Sequence, residues 1–292
     1  MRNRNAALTQ RLDTILGAEV VRLEPLSVGF GLTGAVALLS DGRRLAVKAR
    51  QSDSQRGTDL ALEGAMLADL ARLSDLPVPH VHAAAADVLV MDFIDNDGGR
   101  ITPDVERDAA TLIARLHATP RPYFGYERDT LIGPLHQPNP RGEAWVPFFR
   151  DHRLLHMARA ARDEGALPPS LHDRLERLAD DLGAYLTEPP FPSLLHGDLW
   201  TGNVLVKGNR IAGFIDPAIY FGHPEIELAF TTMFGTFGRA FFEAYEDMMP
   251  LEPGFHEVRK DIYNLYPTLV HVRLFGGSYV AAVDSTLKTL GL

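Results

Sequence analysis

Asp198 and Asn203 stand five residues apart in the stretch LLHGDLWTGNVLV, residues 194–206. They have the D-x-x-x-x-N spacing of a phosphoryl-transfer loop. The chemistry behind that spacing is specific. A carboxylate orients or accepts the proton of an attacking hydroxyl. A neutral oxygen donor a few residues on can hold a metal ion beside the phosphates, and Mg2+ prefers hard oxygen ligands. Asn203 suits that role. Thirteen residues later the apolar segment GFID (213–216) ends in Asp216. A carboxylate there is badly placed without a cation, so Asp216 reads as the principal Mg2+ ligand.

Earlier features extend the pattern. LAVK (45–48) ends an apolar strand in Lys48. A lysine among apolar neighbours is costly unless paired, and a phosphate plus a carboxylate would pair it. Glu63 is the candidate carboxylate, set among Leu60, Leu62, Met66 and Leu67. Taken alone, Lys48 and Glu63 would more often be solvated surface charges. GFGLTGAV (29–36) carries Gly29, Gly31 and Gly34 as G-x-G-x-x-G. Taken alone, it could equally be a turn that binds nothing. A Rossmann fingerprint needs a helix at the last glycine. Here a strand, a turn and a strand follow, which suits a glycine-rich hairpin lying over phosphates. DVLVMDFI (87–94) falls where a kinase hinge belongs, and its backbone at Asp92 and Ile94 could bond an adenine edge. Glycine hairpin, strand lysine, helix glutamate, D-x-x-x-x-N and strand-ending aspartate come in the order a kinase requires.

These residues need elements to hold them. Apolar periodicity predicts a helix over 6–17, strands over 19–28, 35–40 and 43–50, a helix over 59–73 and a strand over 87–94. Asp41-Gly42 is a hairpin signal. Residues 1–95 are therefore expected to form a small α+β lobe, with DNDGG (95–99) as linker. Residues 96–292 are expected to form a mainly helical lobe, with helical period over 104–118, 143–164, 170–186, 225–248 and 256–290. Strand material is confined there to 203–206 and 210–215, and the Pro-rich stretches 134–140 and 189–192 read as loops. Phe230, Phe234, Phe237, Phe241 and Phe242 recur at helical spacing and are expected in the core.

Composition narrows the classes. The 292 residues are 46% apolar and 23% charged, ordinary for a globular chain with a sizeable core. There are no cysteines, which excludes disulfides, thiolate zinc sites and a cysteine nucleophile. A net charge of −9 argues against nucleic acid as a partner. No apolar run is long enough for a membrane span and no secretory leader is evident, so a cytoplasmic location is expected. A monomer is favoured. His152 and His156 lie four apart but lack an H-E-x-x-H glutamate, so they read as surface or interface histidines. Neither a P-loop nor a G-x-S-x-G elbow occurs.

The sequence resembles the fructosamine kinase, or ketosamine-3-kinase, family. LLHGDLWTGNVLV, then FIDPAIYFGHPEIELAFTTMFGTF, then AYEDMMPLEPGF, YNLYPTLVH and RLFGGSY carry the likeness over the whole chain. The family belongs with aminoglycoside and choline phosphotransferases, so the resemblance implies a two-lobed, protein-kinase-like α+β fold. It implies ATP, Mg2+ and phosphorylation of the 3-hydroxyl of a ketosamine, free or protein-bound. A 3-phosphate beside the C2 carbonyl is a good leaving group, so the adduct falls apart and frees the amine, a deglycation. By position, Asp198 is the implied base, Asn203 and Asp216 hold Mg2+, Lys48 holds phosphates and Glu63 orients Lys48. Trp200 is either a wall for the sugar or a packed indole; Tyr220, His223 and Glu225 are further candidates for the acceptor side. Pro224 stands where the family usually has arginine before Glu225, and Glu227 replaces its usual aspartate, which puts acceptor identity in doubt. Gly197 takes the place of the arginine that protein kinases use to read activation-loop phosphorylation, so such control is not expected. The alternatives are a related kinase for an aminoglycoside, choline-like amine or other hydroxyl, and a nucleotide-binding protein without activity.

Overall fold

The computed structural model describes residues 2–29, 31–51 and 58–292; Phe30 of the glycine loop lies outside them. The first elements are α1 (Arg2–Leu16), β1 (Val20–Leu26), β2 (Leu32–Leu39), β3 (Arg44–Arg50), α2 (Leu60–Leu73), β4 (Val81–Ala85) and β5 (Val88–Asp92). Then come α3 (Pro103–His117), β6 (Thr130–Ile132), β7 (Leu135–Gln137), α4 (Trp145–Phe149), α5 (Leu155–Asp163) and α6 (Pro169–Asp180). The chain continues through β8 (Ser193–Leu195), β9 (Val204–Lys207), β10 (Arg210–Phe214) and β11 (Tyr220–Gly222). It closes with α7 (Pro224–Met233), α8 (Arg239–Glu246), α9 (Lys260–Phe275) and α10 (Ser278–Thr289). Packing groups Met1–Gly99 with Val204–Pro217 in one compact unit, and Arg100–Asn203 with Ala218–Leu292 in another. Among the described residues no helix is long and apolar enough to cross a membrane.

In the first unit the strands form an antiparallel sheet in the order β1-β2-β3-β5-β4. Side chains alternate between its faces. Leu45 and Val47 of β3 and Val88 and Val90 of β5 gather with Leu12 of α1. Ala46, Leu89 and Met91 point the other way and gather with Leu60 and Leu67 of α2. Each such leucine contributes about 1.5–3 kcal/mol by leaving water. The same alternation puts Lys48 on the α2 side, opposite Gly34 of β2 and Leu89 of β5. Asp59 starts α2 by accepting the Ala61 N–H at 3.0 Å.

The β9–β10 hairpin belongs to this unit. Phe214 N–H donates to Pro77 C=O at 2.8 Å, and Asp97 N–H donates to Val206 C=O at 3.1 Å. Gly208 N–H in turn donates to the Asp97 carboxylate at 2.8 Å. DNDGG is thus pinned by the hairpin, through its central aspartate.

The second unit is mainly helical. Thr102 caps α3 and Pro103 fills its first turn, where a missing N–H costs nothing. Trp145, Phe149 and Tyr263 pack in its interior, and the indole N–H donates to the Tyr263 hydroxyl at 2.9 Å. Short ladders join β6 to β7 and β8 to β11. They correct two expectations: 134–140 is not all loop, and strand material reaches beyond 203–215. Three residues per strand is too short for alternation to show in sequence. The helical stretches 225–248 and 256–290 each divide, at Gly235–Gly238 and at Gly276-Gly277, where Gly235, Gly276 and Gly277 have positive φ. Phe230, Phe237 and Phe241 are buried as expected, but Phe234, at the end of α7, is 39% exposed.

Glu225 in the first turn of α7 is buried against Arg259, with Oε2 accepting from Nε at 2.7 Å and Oε1 from Nη2 at 2.6 Å. Removing one member of a buried pair strands the other's charge. Glu225→Gln is expected to lower unfolding free energy by about 3–5 kcal/mol, read by denaturant titration.

Candidate active site

Lys48 is 4% exposed, and its ammonium has two carboxylate partners. Nζ donates to Glu63 Oε1 at 2.7 Å and to Asp216 Oδ1 at 2.5 Å. Burial alone would lower the lysine pKa; the charges of Asp216 and Glu63 more than reverse this and hold it above its ordinary value. Glu63 moves up as well, because burial outweighs the pull of Lys48 and Asp216 adds repulsion. The inner partner is enclosed and the outer one is not: Glu63's side chain is 7% exposed and that of Asp216 is 35% exposed.

Asp216 lies two residues past β10 and has φ of +56°, the sole positive φ outside glycine among the described residues. Aspartate is among the few side chains that tolerate this region. Upstream, Gly213 lets the strand run against Ile94 and the Pro77 carbonyl; a Cβ there would lie 2.5 Å from Ile94 Cδ1. The glycine-rich segment joins β1 to β2. Gly31 has φ of +65°, and Gly34 has no room for a Cβ beside the Leu26 carbonyl and Val28. Leu32 N–H reaches Gly29 C=O at 3.3 Å. At the end of β5, Asp92 N–H is committed to His80 C=O at 2.9 Å. Phe93 N–H donates to Arg44 C=O at 3.2 Å, and the Ile94 carbonyl accepts from Asn96 Nδ2 at 3.0 Å.

The loop after β8 lies within the second unit. Gly197 has φ of +82°, and a Cβ there would collide with the backbone of Ala218. Ala218 N–H closes the turn onto His196 C=O at 2.7 Å. Asn203 then folds back: its Nδ2 donates to Asp198 C=O and to Asp198 Oδ2, both at 2.8 Å. This fixes the amide orientation and couples the two residues that spacing singled out. Asp198 N–H meets His196 Nδ1 at 3.3 Å, so that nitrogen accepts. Trp200 is 38% exposed, and its ring lies over Gly202, where any Cβ would strike it.

Behind the loop runs a buried chain that sequence reading missed. Glu227 Oε1 accepts the Gly197 N–H at 2.6 Å, and Oε2 pairs with His117 Nε2 at 2.9 Å. His117 Nδ1 meets the Tyr245 hydroxyl at 2.8 Å. Burial would raise the Glu227 pKa, yet the His117 hydrogen bond and nearby histidines hold it below the ordinary carboxylate value. The available signal was His117 itself, a polar residue on the apolar side of α3 after Leu116. Tyr220, His223 and Glu225 all have internal partners. Arg153 lies 3.9 Å over the Tyr220 ring, His223 caps α7, and Glu225 pairs with Arg259. Tyr220 also lines a cavity with Gly197, Ile226, Phe230 and Tyr266. His152 and His156 take part in no metal-sized cluster; among the described residues that geometry occurs at His172, Asp173 and Glu176 alone.

With this geometry in view, a family model for fructosamine kinase matches residues 7–291. A protein named as a ketoamine kinase in Synechocystis is 37% identical over 218 residues, covering 73% of this chain and 70% of the relative. The chain belongs to the fructosamine kinase family. A solved structure from Thermobifida fusca, described as a fructosamine-3-kinase, is 32% identical, with a TM-score of 0.87 over 98% of this chain and 99% of that one. An aminoglycoside phosphotransferase solved with AMP-PNP and hygromycin B has a TM-score of 0.69 at 16% identity, over 97% of this chain and 98% of that one. That likeness speaks for the protein-kinase-like fold alone. Family membership makes the chain a phosphotransferase acting on a hydroxyl group. Glu227, where aspartate was expected, still reaches the loop backbone, its longer arm being taken up by His117.

His223 supplies a pH test. Burial and Arg259 push its pKa down to about 3, and its Nδ1 accepts the Glu225 N–H at 3.1 Å as a neutral cap. The unfolded chain binds this proton near pH 6.5 and the folded chain does not, so stability rises with pH between about 3 and 6.5. His223→Asn keeps a capping oxygen and removes the titration. Its stability is expected to fall less steeply than wild type as pH drops through this window, measured by denaturant titration at several pH values.

Proposed function

We propose that the chain moves the γ-phosphoryl group of ATP to the 3-hydroxyl of a ketosamine, with Asp198 receiving the hydroxyl proton. The observation that carries the catalytic assignment is the clasp of Asn203 on Asp198, in a loop whose backbone is held by Glu227. That clasp fixes one carboxylate oxygen and aims the side chain. In-line attack needs little covalent help from protein, so positioning and charge stabilisation supply most of the rate.

Lys48, already charged and oriented by Glu63, is assigned to the nucleotide phosphates. Gly29, Gly31 and Gly34 would let backbone N–H groups approach them, and Ile94 N–H with the Asp92 carbonyl would meet the adenine edge. Asp216 and Asn203 offer only oxygen toward a cation, a donor set that fits Mg2+. Mg2+ bound by these residues would neutralise charge on the transferring phosphates. Asp216 would then exchange its bond to Lys48 for that role.

The product's fate follows from its chemistry. Loss of a C1 proton gives an enamine, whose electron pair expels phosphate from C3. Water adds at C1 and the amine departs.

The test is ATP consumption with ribulose-lysine and fructose-lysine, beside an aminoglycoside and choline. Wild type is expected to consume ATP with a ketosamine, and Asp198→Asn to lose about 10²–10⁴-fold in kcat. Full activity in that variant overturns the base assignment. Turnover of the aminoglycoside or choline with no ketosamine turnover overturns the acceptor class.

A further inference from the structure

Gln137, at the end of β7, is fully buried, and its carboxamide has three partners. Nε2 donates to Thr130 Oγ1 at 2.8 Å and to Ala218 C=O at 3.0 Å. Oε1 accepts from the Tyr266 hydroxyl at 2.6 Å. The β6–β7 ladder sets Thr130 opposite Gln137, so both side chains leave the hairpin on one face. Thr130 Oγ1 in turn donates to Ile219 C=O at 3.2 Å and accepts from Asn139 Nδ2 at 2.7 Å. The hydroxyl thereby uses its one proton and both lone pairs. The amide has one orientation here, because reversing it would turn its oxygen onto the Ala218 carbonyl. Thr130, Asn139 and Tyr266 are buried like Gln137, and in such a setting a fully satisfied network is rigid.

Ala218 is where this network touches the loop after β8. β11 begins at Tyr220, so the carbonyls of Ala218 and Ile219 precede its ladder with β8. Buried backbone carbonyls need partners, and side chains of the β6–β7 hairpin supply them. Ala218 also faces the loop. Its N–H donates to His196 C=O at 2.7 Å, and its carbonyl oxygen would lie 2.1 Å from a Cβ placed on Gly197. Asp198 is the next residue. We propose that Gln137 is a positioning residue for the Asp198 loop, acting through Ala218. This inference rests on the assignment of Asp198 as the base. The Gln137 amide fixes the direction of the Ala218 carbonyl, and that carbonyl sets where Gly197 can lie. A shifted Gly197 carries Asp198 with it and swings the carboxylate off the line of the acceptor hydroxyl. Glu227 holds the N–H of the same glycine. One glycine is therefore gripped from both β7 and α7.

The experiment compares wild type with Gln137→Met, which fills similar space without a donor. Its readouts are steady-state kinetics with ATP and ribulose-lysine, and amide hydrogen exchange over residues 194–206. The variant is expected to lose about ten- to a hundredfold in kcat, the scale of a small misplacement at the reacting centre, with KM for ATP held within about twofold. Exchange over 194–206 is expected to quicken about three- to tenfold, the scale of one lost hydrogen bond, and more than elsewhere in residues 100–203 and 218–292. Gln137→Asn, an amide one carbon shorter, takes its place if Gln137→Met fails to fold, with the same changes expected. Exchange unmoved over 194–206, or quickened alike throughout the second unit, overturns the positioning role. So does a kcat within about twofold of wild type, or a rise in KM for ATP as large as the fall in kcat. Full activity in Asp198→Asn overturns the base assignment and this inference with it. Wild type inactive on ribulose-lysine overturns the acceptor reading alone, and exchange over 194–206 then decides the role of Gln137 by itself.

Discussion

An ammonium group buried on a sheet face cannot stand alone. The desolvation cost is several kcal/mol, and only opposite charge at hydrogen-bond distance offsets it. Lys48 solves this with Glu63 from α2 and Asp216 from the end of β10. Much of the first unit follows from that need. The alternation of β3 sends Lys48 toward α2, Asp59 starts α2 so that Glu63 falls in its first turn, and the β9–β10 hairpin joins the sheet's unit so that Asp216 arrives. The partners differ in kind. Glu63 is enclosed, whereas Asp216 keeps a face to solvent.

The second unit meets a different constraint, a loop that must be rigid without being regular. Backbone groups in such a loop need partners as much as those of a helix do. Asn203 binds Asp198, Ala218 binds His196, and Glu227 takes the Gly197 N–H. Glu227 is a buried carboxylate in its own right and is offset in turn by His117. The loop is therefore supported by helices α3 and α7, far from one another in sequence.

The sequence spoke clearly where chemistry forces residue type and spacing together. The contacts of Lys48 with Glu63 and of Asp198 with Asn203 were legible because order and spacing along the chain set these residues apart. The α2 helix and the first three strands were legible from period. The pairing of Glu225 with Arg259 and of Glu227 with His117 was not, because such contacts join positions with no local signal. Strands of three residues, β6, β7, β8 and β11, carry too few positions to show alternation. The membership of β9 and β10 in the first unit is likewise a long-range outcome of packing. Phe234 failed differently: helical spacing placed it in a core, and the glycine after it turned it out.

Gly197 also bears on how this loop can evolve. Its left-handed backbone and the Ala218 backbone behind it close the position to every side chain. An arginine could not be gained there by one substitution without rebuilding the turn that carries Asp198. A lineage with this loop is thus insulated from acquiring phosphate-sensing control at that point. The turn is held by its own backbone instead, with Ala218 N–H on His196 C=O and Gly197 N–H on Glu227.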